Sequence, residues 1–249
     1  IPSPPFRTAA VGNGGDGMNK CHIASVSWGK DSLCMLLMLI EKEFPLDEVV
    51  FYDTGMEFQA IYDTRDKVLP LLMEKGIKYT ELHPRNPMEY DMLERPKTKR
   101  TGEQVFGDGW CGGPCRWGTF LKQEALNQYI GNNSTYIGIA ADEYNRIGGL
   151  EAHKTAPLNE WGITEGEALL YCYKRGYEWI ECGKPLYAIL DRVSCWCCAN
   201  KNLKELRGYY HYLPEYWEKL KSLQAKITRP MKGKGKSVFE KRFRQEATP

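Results

Sequence analysis

Two kinds of apolar spacing alternate along the first 140 residues. The run Cys21-His22-Ile23-Ala24-Ser25-Val26-Ser27 is short and β-prone and is followed at once by Gly29, after which Leu33, Leu36, Leu37 and Ile40 recur at helical spacing. Val49-Val50-Phe51-Tyr52 predicts a second strand ending in Asp53-Thr54-Gly55. An amphipathic segment from Phe58 to Lys75 follows, then a third strand over Tyr79 to His83. Asn86 to Gly109 is polar and without period, which predicts a long loop covering a site. Phe120 to Ile130 reads as a helix and Ser134 to Ala140 as a buried strand, after which the sheet is expected to end. Thr164-Glu165-Gly166-Glu167 has the pattern of a capping box opening a helix through Tyr173. A further helix is expected from Pro214, with Trp217, Leu220 and Leu223 as its apolar stripe.

Alternation of strands with covering helices predicts an α/β fold: an open parallel sheet with helices on both faces, plus a C-terminal Cys-rich helical region. A chain of 249 residues can bury one substantial core. The expected division is 18–150 as the nucleotide-binding α/β core, 151–228 as a helical, Cys-containing part of the same domain, and 229–249 as a basic tail. Residues 1–17 lack the basic and continuously apolar regions of a signal peptide and are expected to be disordered or vector-derived, with Met18 the native start. The longest apolar stretches fall far short of the roughly 20 residues that cross a bilayer, so no membrane span is expected.

Nine cysteines, an odd number gathered near Cys111 and Cys195, do not make the disulfide framework of a small secreted domain; a reducing, cytoplasmic setting fits them. The net charge of +2 implies no polyanionic partner by itself. Between Arg229 and Arg244, however, Lys232, Lys234, Lys236, Lys241 and Arg242 meet the single acid Glu240. Such a run either follows a phosphate backbone or is a solvated tail. His22, His83, His153 and His211 have no paired metal-ligand spacing and are assigned no chemistry.

Ser25-Val26-Ser27-Trp28-Gly29-Lys30-Asp31-Ser32, set between a strand and a helix, has the logic of a phosphate loop, because backbone amides at a helix N-terminus converge on phosphate oxygens. Gly29 permits close approach, Lys30 supplies a cation for a leaving pyrophosphate, Ser27 and Ser32 supply hydroxyls, and Asp31 can hold Mg²⁺. The spacing is not that of a Walker A loop. An ordinary capped turn is the plainer alternative.

These residues resemble the PP-loop of the ATP pyrophosphatases, in the adenine nucleotide α-hydrolase superfamily that includes the phosphoadenosine phosphosulfate reductases. Asp53-Thr54-Gly55 resembles the Asp-Thr-Gly of the reductase branch, and Gly138-Ile139-Ala140-Ala141-Asp142-Glu143 with Arg146 resembles its Gly-x-Arg-x-x-Glu-Ser segment, with Ala140 in place of the arginine. The resemblance covers roughly residues 22 to 220. It implies ATP at the carboxyl ends of parallel strands, attack of a substrate oxygen on the α-phosphate, and release of pyrophosphate. Ser25 to Ser32, Asp53 to Gly55, Gly138, Asp142 and Arg146 would form the nucleotide site, with Lys30, Asp31 and Asp53 catalytic.

Cys111-Gly-Gly-Pro-Cys115 and Cys195-Trp-Cys197-Cys198 lie about 80 positions apart, which predicts convergence in the fold. Four thiolates suit an iron–sulfur cluster or a zinc ion equally. Assimilatory adenylylsulfate reductases carry a cysteine pair and a later Cys-x-x-Cys that bind a [4Fe–4S] cluster, and tRNA- and DNA-thiolating relatives also use clusters. The resemblance therefore implies Cys111, Cys115, Cys195 and Cys198 as ligands. Cys197 is either a substitute ligand or a thiol that carries sulfur. Cys21, Cys34, Cys172 and Cys182 are expected to be buried small hydrophobes. Sulfonucleotide reductases need a nucleophilic cysteine in a C-terminal Glu-Cys-Gly, yet no cysteine follows Cys198, and Glu181-Cys182-Gly183 precedes the cluster pair.

Three functions follow. The leading one is ATP-dependent adenylation, with cluster-dependent sulfur transfer to tRNA or DNA and a sulfur-donor protein as partner. The others are a sulfonucleotide reductase using an external thiol, and a non-catalytic nucleotide-binding module with structural zinc.

Overall fold

The structure, a computed structural model, describes residues 20–110 and 115–227 together with Met231 and Phe243. The expectations for residues 1–17, for Cys111 and for most of the basic segment after 228 fall outside the described residues.

Five parallel strands form the main sheet: β1 (His22–Val26), β2 (Glu48–Tyr52), β3 (Lys78–Leu82), β6 (Ser134–Ile137) and β7 (Lys154–Thr155), in the order β3-β2-β1-β6-β7. Strand β1 is followed by α1 (Lys30–Glu41), β2 by α2 (Gln59–Glu74), and β6 is preceded by α4 (Lys122–Ile130). The expected α/β architecture is thus the one the chain adopts. Side chains alternate across the pleat. Ile23, Val50 and Tyr52 meet Leu126 and Ile130 of α4 on one face. Ala24, Val26, Val49 and Phe51 join Leu33 and Leu36 of α1 and Ile61, Val68 and Leu72 of α2 on the other. Strand β2, paired on both sides, is buried at all five positions, and its one acid, Glu48, is satisfied by Thr80, Tyr129 and Lys78.

Several elements depart from the periodicity. The segment 86–109 is not one loop: it contains α3 (Met88–Leu93) and a hairpin of β4 (Pro96–Thr98) with β5 (Gln104–Phe106). Charge holds this excursion where apolar period does not, since Asp108 takes ion pairs from Arg95 and Lys97. A turn of π-helix, Arg116–Leu121, leads into α4. The sheet does not stop at 140 either, because the two-residue β7 adds a fifth strand too short to leave a pattern.

Beyond the sheet come α5 (Pro157–Glu160), α6 (Glu165–Lys174), the hairpin β8 (Ile180–Glu181) with β9 (Lys184–Pro185), α7 (Leu186–Ile189), α8 (Leu203–Tyr212) and α9 (Pro214–Ala225). The Thr164 capping box is present, with both reciprocal bonds to Glu167. Asn202 and Glu205 make a second one at the start of α8. Leu206, Tyr209, Trp217 and Leu220 of these helices belong to the same apolar core as β1 and α1. Phe243 is also buried there, its ring against Tyr210 and Trp217. No helix among the described residues is long and apolar enough to cross a membrane.

Candidate active site

The strand order reverses at β1, which pairs with β2 on one side and β6 on the other. In open parallel sheets, the crevice outside the carboxyl ends at such a switch point is where ligands bind. Here the Ser25–Ser32 loop leaves β1 and Gly138 follows β6. A β-carbon at Gly138 would lie 2.7 Å from the Ser32 Cα and 2.8 Å from its amide nitrogen, so only glycine lets the end of β6 approach the first turn of α1 this closely.

Trp28 turns the loop with φ 59°, and its carbonyl accepts the Trp179 indole N–H at 2.8 Å. Its own side chain is fully buried against Phe51 and Tyr79, pointing into the core beneath the loop. Ser25 is a residue of β1. Ser27, Gly29, Lys30, Asp31 and Ser32 line a cavity of about 140 Å³ with Gly138, Glu143, Arg146, Glu165, Tyr187 and Asp191 to Val193. The Ser27 and Ser32 hydroxyls are 3.2 Å apart, and the Ser27 amide donates to Ser32 Oγ.

Lys30 is buried, with its ammonium 2.9 Å from Asp31 and 2.5 Å from Glu165. Burial alone would lower its pKa; the two carboxylates outweigh that and hold it raised. Burial pushes the Asp31 carboxyl up against the pull of Lys30. Asp31, expected at Mg²⁺, gives both oxygens to Lys30. The Lys30 backbone N–H donates to Tyr187 Oη at 2.8 Å. Asp142 accepts the Glu165 amide and so orients α6, while Arg146 forks onto both oxygens of Glu143. A helix start with amides, hydroxyls and a buried ammonium can bind a phosphate or pyrophosphate anion.

Asp53 and Thr54 are buried at the end of β2. Asp53 Oδ1 accepts from the Gly55 amide and the Tyr62 hydroxyl, both at 2.8 Å. His83, to which its sequence spacing assigned no chemistry, bridges two acids. Its Nδ1 is 4.0 Å from Asp53 Oδ2 and its Nε2 is 3.4 Å from Glu81 Oε1, and one donor atom from each of the three lies within 4.8 Å of the others. Arg65 and Tyr79 hold the second Glu81 oxygen.

Thr54 leads to the cysteines. Its hydroxyl is 2.9 Å from Glu57 Oε1 and 3.5 Å from Cys195 Sγ, and the Trp196 amide donates to the Met56 carbonyl, tying the Asp-Thr-Gly loop to the cysteine loop. Cys115, Cys195, Cys197 and Cys198 line a second cavity of about 470 Å³, walled also by Met88, Trp110, Trp117, Lys201 and Glu205. The described cysteines of both groups thus converge. Gly118 brings two of them in: a β-carbon there would lie 3.8 Å from both Cys115 Sγ and Cys195 Sγ. Burial pushes the Cys195 thiol up, and the adjacent Glu57 adds to it. Cys197 is buried, its sulfur 3.7 Å from Met88 Sδ, and burial raises its pKa as well. The indole N–H of Trp117 is buried with no partner among the described residues.

Of the cysteines expected in the core, Cys34 and Cys172 are fully buried beneath the phosphate loop, and Cys172 Sγ donates to the Lys30 carbonyl. Cys21 and Cys182 are exposed instead. Cys21 precedes β1, and Cys182, with φ 49°, is the first residue of the tight β8–β9 turn, which turns its side chain outward. Glu165, Tyr187 and Arg192 were not found from sequence. Glu165 sits in a helix-capping pattern, Tyr187 belongs to no motif, and Arg192 stands three residues before Cys195 with no spacing that links it to the phosphate loop.

Residues 22–139 match the phosphoadenosine phosphosulfate reductase domain family. An uncharacterised protein of Methanocaldococcus jannaschii is 26% identical over 217 residues, covering 81% of this chain and 41% of that protein. Among solved structures, the U34-tRNA thiolase NcsA of Methanococcus maripaludis, with its [4Fe–4S] cluster, is 20% identical, with a TM-score of 0.42 over 66% of this chain and 59% of that one. The chain therefore spans about two fifths of the archaeal relative.

Proposed function

We propose that the chain, whose residues 22–139 match the phosphoadenosine phosphosulfate reductase domain family, is an ATP-dependent enzyme of the PP-loop kind that adenylates an acceptor and then supports sulfur transfer to it. One observation carries this reading: the Lys30 phosphate cavity lies beside a cavity lined by thiols from both cysteine groups. In the first step an acceptor oxygen attacks the α-phosphorus. The bond to the bridging oxygen breaks, and pyrophosphate leaves with the electron pair toward Lys30 and the α1 amides. In the second step sulfur at the sulfide level attacks the activated carbon, the carbon–oxygen bond breaks, and AMP leaves, with no net redox change. Lys30 serves as the cation for the leaving group, Ser27 and Ser32 as donors to it, and Asp31 and Asp53 as holders of Mg²⁺ or of the attacking group.

Cys115, Cys195 and Cys198, with Cys111, would hold a [4Fe–4S] cluster, which supplies soft, thiophilic iron. The described thiols, soft ligands from both cysteine groups gathered about one cavity, suit such a cluster. The acceptor we propose is a tRNA or DNA base, supported by the basic run from Arg229 to Arg244.

The test is release of pyrophosphate and AMP from the full chain, purified without oxygen, with RNA, DNA or no acceptor. Release that depends on nucleic acid and is lost in Lys30→Ala is expected. Undiminished release by that variant overturns the reading. About four irons and four sulfides per chain are expected; stoichiometric zinc without iron would make the thiol site structural.

A further inference from the structure

The phosphate cavity and the thiol cavity are neighbours with a common wall. Asp191 and Arg192, in the strap between α7 and Cys195, line both. The strap is pinned from behind: the buried Lys201 ammonium donates to the Arg192 carbonyl and pairs with Glu205 at 3.5 Å. Asp191 is drawn to Asn202 and Lys204, at 2.8 and 3.2 Å. The backbone of Arg192 is therefore fixed, and the residue is exposed and lines both cavities.

Three cations line the phosphate cavity. Lys30 is bound to Asp31 and Glu165, and Arg146 to Glu143. Arg192 alone has no carboxylate partner among the described residues. An arginine fork left open at the junction of two cavities is suited to an anion that must be reached from both.

We infer that Arg192 binds the α-phosphate of the nucleotide, the phosphate shared between the pyrophosphate end of the site and the acceptor end. This inference rests on the adenylation reading. The phosphorus under attack is bonded to the leaving group on the Lys30 side and approached by the acceptor from the thiol side, so it must sit at the common wall. Arg192 is a binding and positioning residue for the nucleoside 5′-phosphate. Lys201 acts through it by holding the strap.

The test compares the binding of adenosine, AMP and ATP to the wild-type full chain and to Arg192→Ala, Arg192→Lys and Lys30→Ala by titration calorimetry. Arg192→Ala is expected to weaken AMP about tenfold or more, as loss of a charge-assisted bidentate contact does, and to leave adenosine unchanged. Arg192→Lys should recover part of the loss through charge alone. Lys30→Ala should weaken ATP more than AMP. AMP affinity in Arg192→Ala within twofold of wild type overturns the inference, as does an equal loss for adenosine and AMP. If Lys30→Ala still weakens ATP in those cases, the adenylation reading survives. Wild-type protein that binds none of the three overturns both.

Discussion

The phosphate cavity and the thiol cavity share a wall but differ in how their polar groups are satisfied. Around Lys30, opposite charges close on one another: its ammonium is held by two carboxylates, Arg146 is forked onto Glu143, and the Lys30 amide is taken by Tyr187. The thiol cavity has closures of this kind behind its strap, where Lys201 meets Glu205 and Asp191 meets Asn202, but not among its sulfurs. Burial desolvates Cys195 and Cys197, and among the described residues the Trp117 N–H has no partner and Arg192 no carboxylate. Apart from Arg192, which lines both cavities, the first arrangement is balanced without ligand, so on the proposed reading a phosphate reaching Lys30 must displace a carboxylate. The second leaves donors unmatched, which is the usual mark of a site completed by what it binds.

The sharpest way to separate the two regions is to disable each alone. Lys30→Ala should reduce pyrophosphate release at least about 10²-fold, the scale of losing a main electrostatic contact to the leaving group, with iron content unchanged. Cys195→Ala with Cys198→Ala should abolish iron and sulfide while ATP still binds. Iron loss in the lysine variant, read by metal analysis, would show the cavities to be a single unit.

Next in size is Gly138→Ala, whose methyl must displace the backbone of the first turn of α1. A loss of about 1–3 kcal/mol in thermal or denaturant unfolding is expected, the range for overpacking. Smaller still is Glu165→Gln. On the proposed reading the carboxylate competes with phosphate for the Lys30 ammonium, so neutralising it should tighten ATP a few-fold, of the order of a surface-to-buried ion pair. Weaker ATP binding would instead give Glu165 a positive role in holding the lysine.

The least effect concerns protons. Burial lifts the Cys34 thiol to about 12 from an ordinary value of 9.0. A folded-state pKa above the unfolded one adds stability that is whole below pH 9 and is lost as pH rises through 9 toward about 12. Cys34→Ala should therefore flatten part of the alkaline limb of a stability–pH curve. At pH 8, alkylation read by mass spectrometry should mark Cys21 and Cys182 well before Cys34, Cys172 or Cys197.

The same contrast explains what the sequence could reveal. Ser25 to Ser32 is contiguous, and a strand, a glycine and an apolar helix stripe place it without help, so the strand–loop–helix setting of this segment and the parallel sheet were legible. The thiol cavity is assembled from 115–118, 195–198 and α8. Convergence could be inferred from soft-ligand chemistry, but not the Glu57 and Thr54 neighbours, which reach Cys195 through folding alone. Glu165 and Tyr187 were hidden for a similar reason: each contacts Lys30 across more than a hundred residues. The β4–β5 excursion escaped because ion pairs at Asp108 hold it, and these have no period.

The bond from the Trp179 indole to the Trp28 carbonyl bears on the order in which the protein can mature. Strands β1, β2, β3 and β6 are all synthesised before residue 140, so most of the sheet can form while the rest of the chain is still emerging. Trp28 holds a left-handed turn that a bulky residue adopts only when its surroundings enforce it, and the group that enforces it arrives some 150 residues later. A nascent chain would thus carry a nearly complete sheet while the turn at Trp28 stayed unset until synthesis had passed Trp179.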